Sequence, residues 1–173
     1  IVAMSRRIDN PREQIMLGFG AHLDPRIALW RALTELNQMM PAIIETGDDD
    51  NGGHDNDFTT WLREATVHNQ PYLTPNPARP ASRPDDFAYS PHPDLTTDIH
   101  TVQDRLAASG LEVLVLDQTR PDIGLPVVKV IVPGLRHFWA RFGPGRLYDV
   151  PVQLGLRTEP TPYEALNPIP LFL

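Results

Sequence analysis

"IVAMSRR" (Ile1 to Arg7) and "EQIMLGFG" (Glu13 to Gly20) each hold a short apolar run beside polar residues and read as strands, and the turn chemistry of "DNP" between them predicts a hairpin. The period then changes. Asp24 stands where a helix N-cap belongs and Pro25 at the first helical position, so a helix is expected from there to about Met40, stopped by Pro41. At about 100° per residue, Leu29, Leu33, Leu36 and Met40 share one stripe flanked by Ala28, Ala32 and Met39, and that stripe is the predicted core face. Arg31, Glu35 and Gln38, spaced i, i+4, i+7, fall within roughly 60° of arc on the side away from it.

Further along, "DFTTWLREATVHN" (Asp57 to Asn69) reads as a second helix and "DLTTDIHTVQDRLAASG" (Asp94 to Gly110) as a third, ended by its glycine. Between them, prolines at 71, 75, 77, 80, 84, 91 and 93 exclude a helix or a central strand and predict a long loop. "LEVLVLD" and "PVVKVIV", joined by "QTRPDIGL", are short β-branched runs that read as buried strands. "PGLRHFWARFGPGRLYDVPVQLG" has room for one short amphipathic helix before Gly143, and "EALNPIPLFL" makes an apolar, proline-locked tail. No internal repeat is present. Helices following strands give a mixed α/β class: a mixed sheet with flanking helices.

The chain has 173 residues, enough for one domain burying roughly two-thirds of its unfolded surface. A formal net charge of -7 leaves no global basic field for nucleic acid or an anionic membrane. The absence of cysteine excludes a disulfide framework, a thiolate metal site and a cysteine nucleophile, and is compatible with a reducing cytoplasm. No apolar run approaches the roughly 20 residues of a spanning helix, so neither a membrane nor nucleic acid is an expected partner. The opening at Ile1 reads as strand with no polar lead-in, and is expected to be a later part of a longer polypeptide.

Candidate chemistry is sparse. "DDDNGGHDND" (Asp48 to Asp57) fails as an EF-hand because Gly52 falls where an oxygen ligand is needed, and is read as a solvated loop. His22, His54, His68, His92, His100 and His137 form no i,i+4 pair, so no zinc site is expected; His22 is given a capping or structural role. Asp117 and Asp122 either aim into a cleft at a strand end or cap turns around Pro121. Arg136, His137 and Arg141 make a small basic group, read by default as a solvated helix face, and Trp30, Trp61 and Trp139 are assigned to packing. Gly18 and Gly20, just before the helix, would let the backbone come close to a ligand, but match neither a P-loop nor a dinucleotide fingerprint. From spacing alone, Arg31 and Glu35 read as an ordinary exposed ion pair.

Three segments in order, "GFGAHLDPRIALWRALTELNQ", "GLEVLVLDQTRPDIGLPVVKVIVPGLRHFWARFGPGRLYDVPV" and "LNPIPLFL", resemble the C-terminal part of the YcaO family, and most of all its azoline-forming cyclodehydratases. The resemblance makes residues 1–173 the C-terminal portion of a single YcaO-type domain, with an acidic and proline-rich, poorly ordered insertion around 47–93 that matches least. It implies an ATP- and Mg²⁺-dependent enzyme acting on a ribosomal precursor peptide. A Cys, Ser or Thr side chain attacks the preceding carbonyl, phosphorylation of the amide oxygen makes it a leaving group, and a thiazoline or oxazoline ring results.

The same resemblance carries the family's Arg-x-x-x-Glu element onto Arg31, for phosphate, and Glu35, for Mg²⁺, with Gln38 as a neighbour. A guanidinium fork suits phosphate and a carboxylate suits Mg²⁺. It also implies a terminus reaching the active site, with Pro168 and Pro170 matching a Pro-x-Pro-x-Pro pattern, Phe172 in its third place, and Leu173 at the end. The family's other acidic helices and its leader-gripping winged-helix module are absent from these residues. The implied partners are therefore the N-terminal part of the same enzyme, the precursor peptide, a leader-binding or activator protein, and a second copy in a homodimer. The chain alone is expected to be inactive. The alternatives are a non-catalytic YcaO-like scaffold or peptide-binding piece, or a thioamide-forming relative.

Overall fold

The computed structural model describes residues 1–46, 57–87, 89, 92–136, 142–169 and 171. Its elements are mixed α and β, with the strands in two separate two-stranded antiparallel sheets. The contacts divide the chain into two units, residues 1–91 with 167–173, and residues 92–166. Among the described residues no helix is long and apolar enough to cross a membrane.

In the first unit, β1 (Val2–Ser5) and β2 (Met16–Phe19) form the expected hairpin, with Val2 opposite Phe19 and Ser5 opposite Met16. Its connection turns where the Asn10 side chain accepts the Arg12 N–H at 2.9 Å. Helix α1 (Pro25–Thr46) packs on β2. Two expectations about it are corrected. It runs through Pro41 instead of stopping there. Pro41 is exposed, and Ile43 beyond it packs on the core. The buried face is also rotated from the predicted stripe. Ala28 and Ala32 are buried and Leu36 and Met39 pack alongside, whereas Leu29 and Leu33 stay 46% and 44% exposed.

Two glycines explain the rotation. A Cβ on Gly20 would lie 2.7 Å from the Ala32 amide nitrogen and closer still to the Ala28 carbonyl, and one on Gly18 would lie 2.8 Å from the Leu36 Cβ. The strand thus offers bare backbone to the helix, and the helix meets it with its smallest side chains. The close approach that the glycines permit is to α1.

Helix α2 (Asp57–Glu64) closes the core. It is shorter than expected because Asn69 Nδ2 takes the Glu64 carbonyl at 2.8 Å and Glu13 Oε2 takes the Val67 N–H at 3.0 Å, which draws the next residues out of the helix. Trp61 is fully buried among Ile15, Met16, Leu17, Leu62 and Ala65, and its indole N–H donates to the Ile15 carbonyl at 2.7 Å. Residues 57–73 of the segment read as a poorly ordered insertion thus contribute to the core, while 47–56 lie outside the described residues. The packing assigned to Trp30 is corrected: it is 71% exposed. Trp139 lies outside the described residues.

In the second unit, α3 (Leu95–Ala108) starts as expected, with the Thr96 N–H on Asp94 Oδ1 at 2.9 Å, and ends at Gly110, whose φ of 71° is one a side chain would strain. β3 (Leu114–Asp117) and β4 (Val128–Ile131) pair antiparallel, Leu114 opposite Ile131. The expectation that they are buried is corrected: every residue of both strands is exposed, on both faces of the ribbon. Helix α4 (Arg146–Gln153) lies beyond Gly143, where none was predicted; the stretch before Gly143 is largely outside the described residues.

Candidate functional site

Asp24 fixes where α1 begins. Its Oδ1 accepts the Arg26 N–H at 2.9 Å, and the Arg26 guanidinium forks onto both oxygens at 3.1 and 2.8 Å. That hydrogen-bonded cation holds the Asp24 carboxyl down at about 2, from an ordinary 3.8, against the opposing effect of burial. His22 Nδ1 accepts the Asp24 N–H at 2.9 Å, which requires an unprotonated Nδ1 and gives this histidine a structural task.

About two and three turns further along α1, Arg31 and Glu35 reach back to the same connection. They do not pair with each other within 4.0 Å. Glu35 Oε2 accepts the Phe19 N–H at 2.6 Å, on the edge of β2 that faces away from β1. Arg31 Nη1 donates to the Ala21 carbonyl at 3.1 Å. The two side chains therefore clamp the strand-to-helix connection from one flank of α1. Glu35 keeps its second carboxylate oxygen, and Arg31 its remaining N–H groups, without partners among the described residues. Both are exposed, as is Gln38, on the same flank. An exposed carboxylate and an exposed guanidinium on one flank of a helix are a donor set that suits a metal-bound phosphate.

This set covers part of such a site. Among the described residues no three His, Asp or Glu side chains gather to hold a metal. Asp117 accepts the Thr119 N–H at 2.8 Å and Asp122 receives the Arg120 guanidinium at 2.6 Å, so both cap turns in the β3–β4 connection. Arg136 is exposed; His137 and Arg141 lie outside the described residues.

Of the three tail residues, Pro168 is described and exposed, and Pro170 and Leu173 lie outside the described residues. The tail is held at Asn167, whose Nδ2 donates to Gln70 Oε1 at 2.6 Å, and at Ile169, which packs on the core. Sequence reading misses this pair, because one Gln and one Asn separated by 97 positions carry no local pattern. Both stand before prolines, which marks the turns and not the contact. The glycines did carry a signal: Ala28 and Ala32, at i and i+4, announce a helix face small enough to meet them.

A family model described as "YcaO cyclodehydratase, ATP-ad Mg2+-binding" matches residues 1–136. A solved structure of the heterocyclase TruD superposes with a TM-score of 0.83 at 46% identity, over 99% of this chain and 23% of its own. A heterocyclase in complex with substrate and cofactor does so with a TM-score of 0.82 at 45% identity, over 98% of this chain and 22% of its own. An uncharacterized protein of Methanothermobacter thermautotrophicus is 36% identical over 131 residues, 72% of this chain and 32% of that protein. The chain thus spans about a third of that relative and under a quarter of each heterocyclase.

Proposed function

We propose, since the chain belongs to the YcaO family, that it serves as the C-terminal part of an ATP-dependent cyclodehydratase, which converts Cys, Ser or Thr of a ribosomal precursor peptide to thiazoline or oxazoline. The observation that carries this reading is the clamp on the β2–α1 connection. Arg31 and Glu35 each spend one polar atom on backbone, and both side chains are exposed on one flank of α1. A fixed guanidinium and a fixed carboxylate lose little freedom when a phosphate and its metal arrive.

The residues present fit part of a Mg-ATP site. Arg31 would hold phosphate, Glu35 would supply one oxygen to Mg²⁺, and Gln38 lies on the same flank. One carboxylate cannot complete an octahedral ion, so further ligands come from the rest of the enzyme. ATP, when bound, supplies the phosphoryl group that turns a substrate amide oxygen into a leaving group. Of this chain's own residues, Arg31 would orient phosphate, and the family resemblance would bring the tail that begins at Pro168, with Pro170 and Leu173, to the reacting peptide.

Exposure supports incompleteness. Val115, Leu116, Val128 and Val130 are all more than half exposed on a ribbon with two apolar faces. A self-contained domain covers such strands. The exposed ribbon supports the N-terminal part of the same enzyme as a partner; the precursor peptide, a leader-binding or activator protein, a second copy in a homodimer and a cytoplasmic location are proposed from the family resemblance.

The test is Glu35→Gln in the complete enzyme. The amide oxygen still accepts the Phe19 N–H, so folding is retained, while ATP turnover and ring formation fall about a hundredfold or more for want of the charge. Unchanged turnover would favour the scaffold reading instead.

A further inference from the structure

We infer that Gln70 and Asn167 form a latch that fixes where the C-terminal tail leaves the fold, and that both are positioning residues for the reaction. The first half stands on the geometry alone; the second rests on the function proposed above.

Gln70 is fully buried, yet its side chain is polar. Burying an amide is costly unless its atoms are bonded. Its Oε1 receives Asn167 Nδ2 at 2.6 Å, and its Nε2 reaches Asn69 Oδ1 at 3.3 Å. Its main chain is committed as well: Gln70 N–H donates to the Thr66 carbonyl at 2.9 Å, and its carbonyl accepts the Leu73 N–H at 3.0 Å. With its main chain bonded and both ends of its amide engaged, Gln70 offers Asn167 a held acceptor.

Asn167 uses both ends of its own amide. While Nδ2 makes the latch, Oδ1 accepts the Ile169 N–H at 3.0 Å and turns the backbone around Pro168. Proline removes the φ freedom of that turn, and Ile169 packs against the core. Three devices therefore act on three consecutive residues: a buried hydrogen bond, a locked ring and an apolar anchor. A leucine at 70 would fill the same space with no unsatisfied group. An amide there adds direction, a bond that one segment 97 positions away satisfies.

The experiment compares Gln70→Leu and Asn167→Ala in the complete enzyme with the same changes in an enzyme truncated after Asn167. Each single variant is expected to lower kcat for ring formation about tenfold, with KM for the precursor peptide within twofold. In the truncated enzyme neither change should lower kcat further. Release of C-terminal residues by a carboxypeptidase should accelerate in both full-length variants, and this readout needs no activity. The exchange Gln70→Asn with Asn167→Gln keeps an amide pair of the same summed length and should restore part of the protection. Asn167→Ala leaves the buried side unchanged and keeps the test open if Gln70→Leu does not fold.

Equal losses in full-length and truncated enzyme would overturn the positioning role, and unchanged carboxypeptidase release would overturn the latch. Faster release in an enzyme that makes no heterocycle at all would sustain the latch while the proposed function fails.

Discussion

The indole N–H of Trp61 donates to the carbonyl of Ile15 at 2.7 Å inside the core, tying helix α2 to the residue that leads into β2. Trp61→Phe keeps most of the ring and removes the donor, leaving a buried carbonyl unpaired. The expected cost is about 1–3 kcal/mol, and Trp61→Ala should cost more, about 3–5 kcal/mol. Chemical denaturation followed by circular dichroism checks both, and an effect of Trp61→Phe below half a kcal/mol would mean that a water takes over the bond.

Gly20 is expected to be intolerant of even one methyl group. Gly20→Ala puts a Cβ against the Ala28 carbonyl and the Ala32 amide, so the helix must move away, at about 1–3 kcal/mol. Arg31 and Glu35 move with it, and in the complete enzyme the ATP turnover proposed above should fall together with the melting temperature. Gly143→Ala meets nothing within 4 Å and should stay within about 0.5 kcal/mol of the parent. Equal melting temperatures for the two variants would refute this account of the strand–helix spacing.

Asp24 predicts an acid-sensitive helix start. Its folded carboxyl titrates at about 2, below the ordinary 3.8, so the stability it contributes is present above pH 4 and is lost as pH falls toward 2. Asp24→Asn still accepts the Arg26 N–H but lacks the charge. The stability gap between parent and variant should therefore be constant at neutral pH, narrow below about pH 4 and close near pH 2. Denaturation midpoints at a series of pH values read this directly; a gap that widens on acidification would show the sign to be wrong.

Glu35 has two separable tasks, and two substitutions divide them. Glu35→Gln retains an acceptor for the Phe19 N–H and should leave the melting temperature nearly unchanged. Glu35→Ala removes that acceptor from a strand-edge amide and should cost about 0.5–1.5 kcal/mol. In the complete enzyme, both should lose the ATP turnover proposed above. If Glu35→Ala melts with the parent, water replaces the carboxylate at the strand edge and the clamp has no structural weight.

What the sequence disclosed and what it hid follow a physical division. The β1–β2 hairpin, the Asp24 start of α1 and the Asp94 to Gly110 limits of α3 are local events, set by turn and capping residues beside the element they define, and they were legible. The burial of α1 was not, because the 100° rule finds the largest apolar stripe, and Gly18 and Gly20 instead select the smallest one. Pro41 failed as a stop because Ile43 packs on the core beyond it, a tertiary contact no local rule contains. Arg31 and Glu35 were found by spacing, but their backbone partners were not. Helix spacing places side chains on a face and is silent about which loop lies over that face. The Gln70–Asn167 bond joins distant segments through two uncharged amides, and leaves no periodicity to detect.

The β3–β4 ribbon has a practical consequence. Among the described residues each strand has one neighbour, so each presents an open row of N–H and C=O groups. Around those rows stand leucines, valines and an isoleucine, with Lys129 the one positive charge in either strand. Such an edge accepts a third strand from any chain that offers one, including a duplicate of itself. Preparations of these residues alone should grow in particle size with concentration, and a charged residue at Val115 or Val130 should slow that growth. The ribbon, left with two open edges, is the first place where one molecule sticks to the next.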